Sequence, residues 1–274
     1  MTSENANVLP GNKMHTDRMP AFLLLARLGK RVLRPGGLEM TRRLLSDLAI
    51  GPLDEVVELA PGLGSTARLI LAENPFSYRA VERDIIAARW MRRRLNMDEH
   101  AVVVAHAEAT GLADCSASVV IGEAMLTMQP AAHKLAIVTE ALRLLKPGGR
   151  YGMHEVAIVP DDTTYSVKAD IESALSRSLH VGARPLSEME WRALLSKAGF
   201  DEITVRLAPL RLLEPARLIA DEGLWGTLRF ILRVLADPVA RRRVLSMRAV
   251  LHRHRDSLSA ISIVARKGIS YASG

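Results

Sequence analysis

Short apolar runs alternate with amphipathic stretches between residues 53 and 151. The apolar runs are rich in β-branched residues and predict strands at 55–59, 78–81, 101–105 and 118–122. The stretches 65–72 and 85–95 between them have the spacing of helices. Because strands that alternate with helices form stacked βαβ units, this part of the chain predicts a parallel sheet with helices on both faces.

The same pattern continues, with interruptions, to the end of the chain. Residues 131–145 predict a helix that ends at Lys146-Pro147-Gly148-Gly149, a sequence that cannot continue it. Ser187 and Glu190 have the spacing of a capping box, and the helix they begin should end at Gly199. Further strands are expected at 150–159, 201–207 and 259–266, which gives seven strands in all.

Three segments fall outside this alternation. Residues 1–33 form an N-terminal extension whose apolar part, Pro20–Leu33, predicts a helix that could cover the domain. Residues 34–274 form the main domain, with insertions at about 160–186 and 209–257. The second insertion is too long for a loop and must contain helices of its own.

Composition limits the class of protein. The chain has 274 residues and is 49% hydrophobic, which suffices for a sizeable core. The single cysteine, Cys115, cannot form an intramolecular disulfide, which fits a reducing compartment. The apolar run Ala21–Leu28 is too short to span a membrane, and the start of the chain lacks the pattern of a signal peptide. We therefore expect a cytoplasmic protein without a membrane span.

Positive charge is concentrated late in the chain. The formal net charge is +7, and eight arginines lie between residues 229 and 255. Aromatic residues are scarce there, so the segment lacks the stacking platform of a single-strand nucleic-acid binder. The arginines are better interpreted as the solvated face of a helix, and nucleic acid is not expected as the partner.

The most informative segment is the turn that follows the first strand. Glu58 ends the strand, and small residues then occupy every second position, at Ala60, Gly62 and Gly64. Small residues let the backbone approach a ligand closely before the next helix begins. The spacing differs from the G-x-G-x-x-G of dinucleotide folds, and a carboxylate at Glu58 would repel a pyrophosphate. It suits a ligand with an ammonium group, such as the methionine end of S-adenosylmethionine.

Residues 58–66 resemble the first motif of the class I S-adenosylmethionine-dependent methyltransferases, in particular the small-molecule branch that includes the ubiquinone- and menaquinone-biosynthesis enzymes. The resemblance covers about residues 34–199 and also fits the last strand. It implies a Rossmann-like, seven-stranded α/β fold, with S-adenosylmethionine as cofactor and S-adenosylhomocysteine as product. The turn Leu144–Arg150 is also common in this family.

The resemblance assigns further residues to the cofactor site. Glu82, followed by Arg83, ends the second strand, where a carboxylate can accept both ribose hydroxyls. After the third strand, His106-Ala107-Glu108 stands where the family places Asp-Ala. The resemblance implies that the backbone N–H of Ala107 bonds the adenine. The side chain of either His106 or Glu108 would contact the adenine amine. Glu123, after the fourth strand, would lie near the methionine end.

The residues that would act on the acceptor are less clearly marked. In-line transfer from a sulfonium needs positioning above all, and a base helps when the acceptor carries a proton. The candidates for that base are His154 and Glu155 in the fifth strand and His180 in the first insertion, each of which could equally be structural. No Cys/His cluster has metal-ligand spacing, so no metal is expected.

Leu224, Trp225, Leu228 and Ile231 form an apolar stripe in the second insertion. It is expected to face inward, either as core or as a cover over an apolar small-molecule acceptor, with the arginines facing outward. Two alternatives stay open: an RNA methyltransferase that uses the basic segment 229–255, and a catalytically inactive cofactor-binding protein.

Overall fold

A computed structural model of the chain describes residues 9–269, so residues 1–8 of the expected N-terminal extension lie outside the described residues. One mixed sheet forms its centre. The strands are β1 (Glu55–Leu59), β2 (Ser77–Val81), β3 (Val102–Val103), β4 (Ala117–Glu123), β5 (Leu145–Ile158), β6 (Leu186–Ser187), β7 (Phe200–Pro209) and β8 (Leu258–Lys267). Their order is β3-β2-β1-β4-β5-β8-β7, and the short β6 also pairs with β5.

The helices lie around this sheet. They are α1 (Ala21–Arg27), α2 (Gly37–Leu48), α3 (Ser65–Ala72), α4 (Ile85–Arg94), α5 (Ala131–Leu144), α6 (Tyr165–Leu179), α7 (Glu188–Ala198), α8 (Pro215–Ala236) and α9 (Pro238–Arg253). The capping box of α7 is present, and Gly199 ends that helix with φ of 105°.

The predicted fold class is confirmed. β1 to β5 pair in parallel, while β8 runs antiparallel to both β5 and β7. Both faces of the central strands are apolar and packed, as a parallel sheet covered by helices on both sides requires. The parallel strands β1, β4 and β5 therefore bring their carboxyl ends to one edge of the sheet, where this class of fold binds ligands.

Three details differ from the sequence-based prediction. A two-residue eighth strand, Leu186–Ser187, joins the sheet, and the Lys146–Gly149 turn belongs to the start of β5. The predicted N-terminal helix, Pro20–Leu33, ends early at Arg27. Beyond it residues 28–36, which we call the strap, cross to α2 without regular structure, and Gly29 has φ of 101°.

The expected inward orientation of the apolar stripe on α8 is wrong. Trp225 is 84% exposed and Leu224 71%, and Leu228 and Ile231 are also exposed. Another stripe of the same helix faces inward instead, composed of Gly226, Thr227, Phe230 and Val234. Phe230 and Val234 join α1 and α9 in a separate apolar cluster, which takes the inner face of the helix.

Gly223 divides α8, because its φ of 73° and ψ of 171° are not helical. The helix therefore consists of a first half that ends at Glu222 and a second half from Leu224 to Ala236. No helix within residues 9–269 is long and apolar enough to cross a membrane.

Candidate functional site

The glycine turn lies at the carboxyl edge of the sheet and leaves open space beside its backbone. Ala60, Gly62 and Gly64 have φ of 51°, 57° and 73°, a conformation that favours glycine and other small residues. A Cβ added to Gly62 would meet no heavy atom within 4 Å. The turn thus presents backbone to a free volume, as expected for close approach by a ligand.

Gly64 has a different reason for being glycine. A Cβ added there would lie 2.7 Å from Cγ of Met91 in α4. Its small size lets α3 and α4 pack together, and we do not assign it direct contact with a ligand.

Glu82 lies against the turn from the end of β2. Its carboxylate accepts hydrogen bonds from the backbone N–H groups of Gly62 (3.1 Å) and Asp84 (3.0 Å). Burial raises the pKa of Glu82, and the two N–H donors oppose that shift. The predicted ribose carboxylate is therefore next to the open volume at Gly62, while the neighbouring Arg83 is exposed.

Glu58 is buried at the end of β1 and accepts a hydrogen bond from the hydroxyl of Tyr78. Burial raises the pKa of Glu58 to about 8, the Tyr78 hydroxyl opposes the rise, and the nearby Glu123 adds to it. This side chain is thus largely uncharged at neutral pH. Tyr78 was not anticipated from the sequence, because it approaches Glu58 from the neighbouring strand β2, about 20 residues later in the chain.

Glu123 is the centre of a buried polar cluster drawn from five elements. We call Arg34, Thr41, Thr66, Glu123 and His154 the Glu123 cluster. Thr41 donates to Oε1 of Glu123 at 2.7 Å, and Nδ1 of His154 lies 2.9 Å from the same oxygen. Arg34 and Thr66 both donate to Oε2.

The charge of Glu123 is set by Arg34 and by the hydrogen bonds of the cluster. Burial alone would raise the pKa of Glu123, but Arg34 and His154 hold it well below its ordinary value. Glu123 is therefore a carboxylate, and it fixes the orientation of the His154 ring. Glu123 and His154 were both candidates from the sequence, whereas Arg34 and the two threonines carry no local signal that predicts their role.

Three nitrogen atoms of the cluster have no hydrogen-bond partner among the described residues. They are Nε and Nη2 of Arg34 and Nε2 of His154, and all three are buried. A buried guanidinium with unmet donors is costly unless a ligand completes it. The cluster therefore offers two cationic N–H groups and one imidazole nitrogen to a ligand at this edge of the sheet.

Glu155 points to the opposite face of β5 and has a structural set of contacts. It accepts hydrogen bonds from the backbone N–H groups of Met125, Leu126 and Thr127 and from the Thr127 hydroxyl. Burial raises its pKa. These bonds hold the loop after β4, so Glu155 positions Glu123 and its neighbours and is not free to take a proton from a ligand.

The remaining candidates lie apart from the cluster. His180 follows α6, where burial and the nearby Arg243 lower its pKa and the nearby Asp17 opposes that shift. His106 is exposed in the loop after β3, with Nδ1 3.5 Å from a carboxylate oxygen of Glu108. Ala107, between them, packs against the core. The adenine contact assigned to this loop stays a prediction.

Two acidic side chains of α8 hold in place the strap that carries Arg34. Oε1 of Glu222 accepts from the backbone N–H groups of Arg31 (2.8 Å) and Val32 (2.9 Å). Nζ of Lys30 lies 3.7 Å from carboxylate oxygens of both Asp221 and Glu222, and all three side chains are buried. The kink in α8 is thus linked through the strap to the Glu123 cluster.

Comparison with known sequences identifies a relative without an assigned function. An uncharacterized protein of Haemophilus influenzae is 32% identical over 211 residues, which span 76% of this chain and 82% of that protein. No family model matches the sequence.

Comparison with solved structures shows many chains of similar fold. A phosphoethanolamine N-methyltransferase 2 of Haemonchus contortus, in complex with phosphomonomethylethanolamine and S-adenosylhomocysteine, superposes with a TM-score of 0.67 at 15% identity over 94% of this chain. This chain spans 59% of that enzyme's length. A geranyl diphosphate C-methyltransferase of Streptomyces coelicolor gives 0.57 at 16% identity, covering 84% of this chain and 78% of that one. The [4+2]-cyclase SpnF gives 0.65 at 15% identity, covering 90% and 93%. The chain therefore has the class I methyltransferase fold.

Proposed function

We propose that this chain, which belongs to the same family as the Haemophilus influenzae protein, transfers a methyl group from S-adenosylmethionine to a small-molecule acceptor. The observation that carries the proposal is the open space beside Gly62, which adjoins the Glu82 carboxylate. At the end of the neighbouring strand β4, Arg34 binds Glu123 and has two buried nitrogen atoms without a partner among residues 9–269. A ribose diol needs a hydrogen-bond acceptor, and an amino-acid carboxylate needs paired cationic donors. The residues present fit both ends of the cofactor.

Each end of that cofactor would be held by different groups. Glu82 would accept from the ribose hydroxyls, and Arg34 would donate from Nε and Nη2 to the methionine carboxylate. Glu58, near both Arg34 and Glu123, would accept a hydrogen bond from the ammonium group, whose positive charge would lower the pKa of Glu58. When bound, S-adenosylmethionine supplies an activated methyl group, so the chain has to orient the acceptor rather than provide a nucleophile.

His154 is the residue we propose as the base for a protonated acceptor. Its Nδ1 is occupied by Glu123, which leaves the unpartnered Nε2 as the atom that accepts a proton. The carboxylate of Glu123 would stabilise the imidazolium that results. The side chain is fully buried, so an acceptor has to enter beneath the strap to reach it.

The experiment that tests the cofactor is calorimetry with S-adenosylmethionine and S-adenosylhomocysteine. We expect both to bind, and Glu82→Gln to weaken binding by about 1 to 3 kcal/mol, the loss of charge-assisted hydrogen bonds to the ribose. Gln retains an acceptor for the Gly62 N–H, so the turn itself should persist. The matched control is Glu73→Gln, an exposed acid at the end of α3. Absence of binding by the unmodified chain would contradict the proposal.

The experiment that tests transfer follows a labelled methyl group from S-adenosylmethionine into pools of small molecules, lipids and RNA. We expect label in a small molecule or lipid, and His154→Gln to lower its rate while cofactor affinity is retained. Label in RNA would favour the basic-segment alternative. Cofactor binding without transfer to any pool would favour a non-methylating role, for which the cyclase of similar fold is a precedent.

A further inference from the structure

The second half of α8 presents a broad apolar surface to solvent. Its six members, all exposed, are Leu224, Trp225, Leu228, Ile231, Leu232 and Leu235, and we call them the outer face. At about 100° per residue they occupy an arc of about 120° around the helix. A contiguous apolar surface of this kind, with tryptophan at its edge, is unusual on a monomer and indicates a binding surface.

A basic groove adjoins this face. Arg31 and Arg229 stand beside Trp225, Leu228 and Leu232 in a shallow apolar concavity, and both also line a second concavity with further cations. The second concavity, the basic groove, contains these five arginines: Arg31, Arg68, Arg94, Arg229 and Arg233. Within residues 9–269, four of them have no carboxylate partner, the exception being Arg31, which lies 3.7 Å from Glu222.

We propose that the outer face and the basic groove together dock the protein on the surface of an anionic phospholipid bilayer. Leucine and isoleucine side chains would enter the boundary between headgroups and acyl chains, and Trp225 would lie at the headgroup level, where its amphipathic ring is favoured. Arg229 and Arg233, about 40° and 80° around α8 from the edge of the apolar arc, would meet lipid phosphates together with the other arginines of the groove. The charge complementarity is with an anionic surface specifically.

Two other occupants fit the same surface less well. In a twofold dimer each patch meets its own copy, so the basic groove of one chain would approach that of the other without compensating acids. RNA would satisfy the arginines but leave the leucine and isoleucine side chains against a polar partner. A bilayer satisfies both the apolar arc and its charged rim.

The test is sedimentation of the full chain with vesicles, first phosphatidylcholine alone and then phosphatidylcholine with phosphatidylglycerol. We expect binding to the anionic vesicles, weakened by raised salt. Trp225→Ser/Leu228→Ser should reduce binding at least about tenfold, from the lost apolar burial of two large side chains. The matched control, Phe76→Ser/Leu53→Ser, removes two exposed apolar side chains elsewhere and should bind normally.

The charged part of the surface is tested by a second pair of variants. Arg229→Gln/Arg233→Gln should bind anionic vesicles more weakly, whereas Arg79→Gln/Lys197→Gln, with the same change in charge at exposed positions, should not. Glu82→Gln should bind vesicles like the unmodified chain, so that docking is separable from cofactor binding. In the Trp90→Phe background, Trp225 fluorescence should shift to the blue on binding, while the buried Trp191 stays constant.

Several results would overturn the proposal. Equal binding to neutral and anionic vesicles, or none to either, would do so. So would equal loss of binding in the apolar pair and its control. If the unmodified chain were a dimer and Trp225→Ser/Leu228→Ser made it dissociate, the outer face would be an interface with a second copy. If RNA displaced the chain from vesicles and this depended on the arginines but not on the apolar side chains, the groove would be a nucleic-acid site.

Discussion

Gly62 and Gly64 are two positions apart in one turn, yet they are glycine for different physical reasons. Both have a positive φ, so an alanine at either position is strained by a similar amount, of the order of 1 kcal/mol. The Cβ at Gly62 would enter open space, whereas at Gly64 it would lie 2.7 Å from Met91. The two substitutions therefore separate ligand approach from packing.

We predict that Gly62→Ala loses cofactor affinity with only the small drop in stability that the strained backbone causes. Gly64→Ala should lower the melting temperature further, because α4 must move away from α3. Thermal denaturation and calorimetry on both variants check this. If Gly62→Ala bound S-adenosylhomocysteine like the unmodified chain, the open space at that position would not be the cofactor site.

The buried carboxyl of Glu58 makes a pH-dependent contribution to stability. Its pKa is about 8 in the folded chain because of burial, and about 4.3 in an unfolded chain. An acid whose pKa is raised on folding contributes its full stability below the unfolded pKa and loses it as pH rises through the folded pKa. Glu58→Gln removes that loss.

We predict that Glu58→Gln melts within about 2 °C of the unmodified chain at pH 5 and at least about 3 °C above it at pH 8.5. Glu73→Gln, at an exposed acid, should show no such dependence. A difference that is constant across this range would mean that Glu58 is ionised in the folded chain throughout it.

These residues also show what the sequence could predict of the site. Glu58, Glu82 and Glu123 each end a strand, and strand ends in a parallel sheet meet at one edge, so their convergence followed from the order of elements alone. Tyr78, Arg34 and the two threonines reach the same place from a neighbouring strand, the strap and two helices. Their positions depend on tertiary packing, which has no local signal in the chain.

At the scale of elements, α8 shows where a helical pattern is ambiguous. Its second half is apolar on two sides, with one stripe at Leu224, Leu228 and Ile231 and another at Phe230 and Val234. Periodicity identifies the helix but cannot choose between two apolar sides. The helices that pack against α8 determine which side is buried. Phe230 and Val234 cluster with residues of α1 and α9, and the stripe at Leu224, Leu228 and Ile231 is left exposed.

The strap was likewise predicted in part. The sequence pattern extended the first helix to Leu33, but residues 28–36 leave it to place Arg34 in the Glu123 cluster and to bring two backbone N–H groups to Glu222. These contacts link residues about 190 positions apart in the chain. No window of local sequence contains both partners.

We predict that Glu222→Gln loosens the strap. The carboxylate that faces Lys30 is lost, which should cost about 2 kcal/mol for charge-assisted contacts and lower the melting temperature by about 4 to 8 °C. Cofactor affinity should fall as well, because the strap positions Arg34. Glu214→Gln, at a half-exposed acid earlier in the chain, is the control. A loss of stability with unchanged affinity would show that Arg34 is positioned independently of Glu222.

At the scale of the whole molecule, the fold was the most predictable feature. Apolar runs of strand length alternate with helical stretches, which predicts the parallel strands that the structure shows in the order β3-β2-β1-β4-β5. β8 comes after α9 in the chain and lies between β5 and β7, antiparallel to both. The packing of the strap and α8 could not be predicted in this way, because it joins distant parts of the chain.

Cofactor binding should therefore change amide hydrogen exchange in several distant parts of the chain at once. We predict that S-adenosylhomocysteine slows amide hydrogen exchange at the glycine turn, in the strap and in the loop after β4, because Glu82, Arg34 and the Glu123 cluster would all contact one ligand or its neighbours. The outer face of α8 should exchange as before, since it belongs to a different surface. At 100 times its dissociation constant the ligand should add about 2.7 kcal/mol to the free energy of unfolding. Protection confined to the turn, with the strap unchanged, would show that Arg34 does not hold the cofactor, and the cluster would then belong to the acceptor alone.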